Sequence, residues 1–130
     1  MLKNKRLLHF LMLTSLMAFM ASCSYDFIEY PYVAPPDPND TVYFAEKIVP
    51  IFSTDDKCTS CHKPGATNPD LTAANAYNSI VPALINATDA EASSIYWFPN
   101  PNSTTHMWKK LSTSDADLIL LWIQQGALNN

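Results

Sequence analysis

Residues Cys58–His62 read CTSCH, and no other stretch restricts the architecture of this chain as much. Two thiols are separated by two residues, and an imidazole directly follows the second. Whatever uses the three side chains together has to sit against that one turn, so the rest of the domain must be built around it. Three chemistries are compatible with such a turn: a bound metal, a redox dithiol, or a covalently held haem.

The surrounding sequence weighs unequally on the three. A structural zinc site takes four ligands, usually as two pairs, but beyond the N-terminal region the chain offers only His106 besides Cys58, Cys61 and His62. A thioredoxin-like dithiol sits between a strand and a helix in a βαβ setting, and no segment here alternates as a half-buried strand does. A disulfide across so short a loop removes little chain entropy. Haem attachment gives each of the three residues a separate role. Cys58 and Cys61 add to the porphyrin vinyl groups as thioethers, and His62 is carried under the iron.

The N-terminus points to export. Lys3, Lys5 and Arg6 precede an apolar run from Leu7 to Met20, the length of a signal-peptide core and shorter than the roughly 20 residues of a spanning helix. Ala21 and Ser22 then lead to Cys23, which resembles a bacterial lipobox. Residues 1–22 are therefore expected to be a lipoprotein signal peptide, with Cys23 as the lipidated first residue of the mature chain. Ordinary cleavage would instead leave Cys23 as an odd thiol in an oxidising compartment. Lipidation gives the third cysteine a role and anchors the protein to a membrane without crossing it.

Loss of residues 1–22 leaves 5 basic against 12 acidic residues, a net charge of −7. Such a surface disfavours nucleic acid as a partner. Residues 23–40 hold Pro31, Pro35, Pro36 and Pro38 and read as an extended tether.

From residue 41 onward the pattern is helical. Val42, Phe44, Ala45, Ile48, Ile51 and Phe52 suit one apolar face of a helix over about 42–53, which Pro50 bends or ends. A loop follows His62. Ala73, Ala76, Tyr77 and Ile80 mark a second helix from Thr72, and residues 88–96 a short third, closed by Pro99 and Pro101. Ser112 and Asp115 form a capping box for a last helix that presents Leu118, Ile119, Leu121, Trp122 and Ile123 and stops at Gly126. The expected fold is all-α, about four short helices in a single domain, 41–130.

A haem iron also has a second axial position. Four of the 5 methionines lie in the segment expected to be removed, so Met107 is the only methionine of the mature domain, and His106 stands beside it. Met107 is the expected ligand and His106 its neighbour, with His106 as the alternative ligand. A thioether favours Fe(II) and raises the potential relative to two histidines.

With these parts in view, the chain resembles the small class I type cytochromes c, in particular bacterial monohaem domains. The likeness is carried by FAEKIVPIF at Phe44–Phe52, CTSCH, Ser94-Ile95-Tyr96, His106-Met107 and WIQQGA at Trp122–Ala127, and it spans 41–130. Trp108 stands where most relatives have proline. The resemblance implies a cytochrome c-like bundle around one heme c, with the first and last helices crossing near a haem edge and the His62 ring held by a backbone carbonyl somewhere in Lys63–Asp70. It also implies a non-catalytic carrier of single electrons between redox partner proteins or a respiratory complex, on the periplasmic side of the cell envelope. Lys57 and Lys63 flank the CTSCH edge where a partner would dock, and solvated surface lysines account for both more simply. A haem-based sensor with a labile sixth ligand and a haem-free envelope lipoprotein are the alternatives.

Overall fold

A computed structural model of the chain describes residues 4, 5, 9, 12, 32–106, 108 and 111–130. They fall into two units, Met1–Tyr32 and Val33–Asn130. In the first, the described residues Asn4, Lys5, His9 and Met12 are helical, and His9 Nδ1 lies 2.7 Å from the Lys5 carbonyl oxygen. Cys23 lies outside the described residues. No described helix is long and apolar enough to cross a membrane.

The second unit is all-α, with no strand among the described residues. Its first helical stretch is wound in three ways: a π-turn over Phe44–Ile48, α1 over Val49–Ser53, and a 3-10 turn over Thr54–Asp56. Pro50 accounts for the change of winding. It has no N–H, and in a continuous α-helix its ring would collide with the carbonyl four residues earlier; here it falls in the first turn of α1, where neither matters. Phe44, Ile48, Ile51 and Phe52 are buried at helical spacing, whereas Ala45, expected on the same face, is exposed.

Helix α2 spans Ala76–Ile80 and starts four residues later than the apolar pattern predicts, leaving Ala73 exposed. The cause is Asp70. Its carboxylate accepts from the Thr72 N–H (3.0 Å), the Thr72 hydroxyl (2.6 Å) and the Asn75 amide (2.7 Å), and so holds 72–75 in a turn. The Thr72 hydroxyl is the main reason that the Asp70 carboxyl titrates below its ordinary range. The expected third helix is a 3-10 turn, Ala90–Ala92, followed by α3, Ser94–Trp97. Between them Ser93 is buried, its Oγ accepting the Asn86 N–H at 2.9 Å.

Helix α4, Thr113–Gln124, begins with the expected capping box: Asp115 N–H donates to Ser112 Oγ at 3.1 Å, and Ser112 N–H to the Asp115 carboxylate at 3.3 Å. Gly126 ends it at φ +98, a conformation that a side chain would strain. The tail then returns to the first helical stretch. Asn130 accepts the Phe44 N–H through its side chain (2.8 Å) and the Ala45 N–H through its backbone oxygen (3.0 Å), satisfying donors that a helix N-terminus leaves open. Phe44 packs between Tyr77, edge-on at 5.3 Å, and Trp122 at 5.1 Å. The crossing of the first and last helical stretches is thus an aromatic contact at the centre of the core.

Candidate functional site

The CTSCH turn is fastened to the end of α1. Phe52 O accepts the N–H groups of both Cys58 (2.9 Å) and Thr59 (3.3 Å). Asp55 and Asp56, both at φ near +50, reverse the chain just before it, and aspartate is one of the few residue types that tolerates this. Within the turn, Cys58 O accepts from Cys61 N–H (3.1 Å) and His62 N–H (2.9 Å), so 58–62 forms one helical turn. Residues three apart on such a turn share a side. Cys58 is half-buried and Cys61 exposed.

Lys57 ties the turn to α4, its ammonium lying 2.8 Å from Asp115 Oδ2. Burial pushes the Asp115 carboxyl up, but hydrogen bonds from Lys57 and Ser112 and the lysine charge outweigh it, and the group titrates below its ordinary range. Lys57 is therefore engaged inside the fold, while Lys63 is exposed.

His62 is held by the loop that follows it. Its Nδ1 lies 3.1 Å from the Pro69 carbonyl oxygen. A carbonyl only accepts, so Nδ1 carries the proton and Nε2 keeps its lone pair. Ligating histidines are commonly held in this way, with the ring oriented and its free nitrogen made more basic.

Cys58, Cys61 and His62 line one cavity of about 690 Å³, within the range of roughly 300–1,000 Å³ usual for cofactor sites. Phe52, Leu71, Leu84, Ile95 and Leu111 supply apolar lining, and Trp97 at the end of α3, with Phe98, His106 and Trp108 of the loop after it, closes the space. A depression of about 670 Å³ along Lys47, Pro50 and Leu118 is similar in size but has no thiol or imidazole in its lining.

The His106 ring stands near that of His62, with centres 6.2 Å apart and planes 25° from parallel. Its Nδ1 is buried and has no hydrogen-bond partner among the described residues. An unsatisfied buried polar atom costs about 1–3 kcal/mol. From the sequence this residue is the alternative to Met107; the signal that singles it out is that it is the one histidine besides His62 in residues 23–130. Met107 lies outside the described residues.

Among the described residues, no three or more of His, Cys, Asp and Glu gather as a metal cage. Two cysteine sulfurs and a carbonyl-tethered imidazole on the wall of a large apolar cavity, with the His106 ring also among its lining, suit a flat apolar group that carries its own metal. Comparison with protein-family models, with curated proteins and with solved structures returned no match.

Proposed function

We propose that the chain holds one heme c in this cavity and carries single electrons between partner proteins of the cell envelope, anchored to a membrane through lipid on Cys23. The observation that supports it most is the shared wall formed by Cys58, Cys61 and His62 on the apolar cavity. Cys58 and Cys61 would hold the porphyrin as thioethers, and His62 would ligate the iron with its Nε2, its Nδ1 being committed to Pro69. When bound, the group supplies a one-electron Fe(III)/Fe(II) couple.

The chain's own contribution is orientation and exclusion of water. Phe52, Leu71, Leu84 and Ile95 keep the surroundings of low polarity, which raises the influence of every ligand and hydrogen bond on the potential. Pro69 fixes the His62 ring, and the Lys57–Asp115 pair fixes the turn that bears it. The exposed Cys61 end of the turn is the edge through which an electron would pass.

Reductive titration of the matured protein is expected to consume one electron per chain, reversibly and with unchanged thioether content. Consumption of none, or turnover of oxygen or peroxide at enzymatic rates, would count against a carrier. Replacing Cys23 with Ser is expected to move the protein from the membrane fraction to the soluble one; a membrane-bound variant would remove the anchor from the account.

A further inference from the structure

We infer that His106, and not the adjacent Met107, is the second axial ligand, so that the iron lies between two histidines; the inference rests on the haem proposal above. The rings of His62 and His106 have centres 6.2 Å apart and planes 25° from parallel. One metal held between two ring nitrogens at about 2 Å from each, with each ring centre roughly 1 Å behind its nitrogen, puts the centres about 6 Å apart. The two rings thus already stand at the separation that a shared iron requires.

Their surroundings agree with this. His62 is tethered through Nδ1 to Pro69, which leaves Nε2 for the metal. His106 lines the same cavity as His62, so the two rings share its wall. The edge of Phe98 packs on the ring at 5.7 Å, steadying it from the side. Two imidazoles give a lower reduction potential than imidazole with thioether, and they occupy the position that an external ligand would need.

The matured holoprotein tests this by its ferric and ferrous spectra, beside a haemochrome assay that reports attachment independently. Expected are a low-spin bis-imidazole electron paramagnetic resonance signature, no long-wavelength methionine-to-iron(III) band, and the same spectra in Met107→Ala. In His106→Ala, with thioether content intact, ferrous iron should go from binding no carbon monoxide to binding one per haem, and added imidazole should restore the wild-type spectrum. A methionine band in the wild type that vanishes in Met107→Ala, or an unchanged spectrum in His106→Ala, overturns the bis-histidine assignment and leaves the covalent haem standing. A chain that takes up no haem overturns both. Where His106→Ala fails to accumulate, the wild-type signature decides by itself.

Discussion

Phe44 carries much of the packing at the scale of single residues. It is 3% exposed and touches both Tyr77 and Trp122. Truncation to Ala would remove both ring contacts and leave a cavity at the helix crossing. Phe44→Ala is expected to lower the unfolding free energy by about 3–5 kcal/mol, measured by denaturant titration of the matured protein; a loss under about 1 kcal/mol would mean that Phe44 is not central. The same scale separates what the sequence can and cannot disclose about the site. Cys58, Cys61 and His62 are legible because their chemistry depends on side chains at fixed spacing. Pro69 is not, because it acts through a backbone carbonyl, a group every residue has; only the loop containing it can be named. His106 is visible as a rare residue, but its position opposite His62 depends on how the loop after α3 folds back, and no local pattern encodes that.

At the scale of elements, the last helix follows its sequence signals more closely than the helices before it. The Ser112–Asp115 box and Gly126 bound α4 as expected because capping is local chemistry. Helix α2 starts late because one carboxylate, Asp70, competes for the first turn, and the first helical stretch changes winding because Pro50 cannot sit in an α-helix interior. Capping joins element to site through Asp115, which binds both Ser112 and Lys57. Its folded-state pKa is depressed, so its stabilisation is complete above the ordinary value of 3.8 and is lost as pH falls through the lower folded value. The pair is half-buried and partly screened, so Asp115→Asn is expected to cost up to about 1 kcal/mol near neutral pH. The gap between wild type and variant should close on acidification through that window and narrow with added salt. A gap independent of pH between neutrality and acid would show that the charge of Asp115 contributes nothing.

The whole molecule is arranged around the CTSCH turn. Residues 42–52 and 113–124 cross through Phe44 and Trp122, and Asn130 returns to hold the start of the first helical stretch. With that frame closed, the turn after α1 and the loop after α3 are left facing one apolar space. An all-α class is readable from the absence of alternation and from three apolar helical faces, but the cavity is not, since its lining comes from residues spread between Phe52 and Leu111. In the function proposed above, this space holds a porphyrin joined by two sulfur bridges. The most direct measurement of this is intact mass together with the pyridine haemochrome spectrum, after acid–acetone extraction, of protein produced with a cytochrome c maturation system. The account predicts a mass raised by one haem that resists extraction, a band position typical of two saturated vinyl groups, and a shift to a single linkage in Cys58→Ser. Colourless protein at polypeptide mass apart from lipid, or haem that extracts completely, would contradict it.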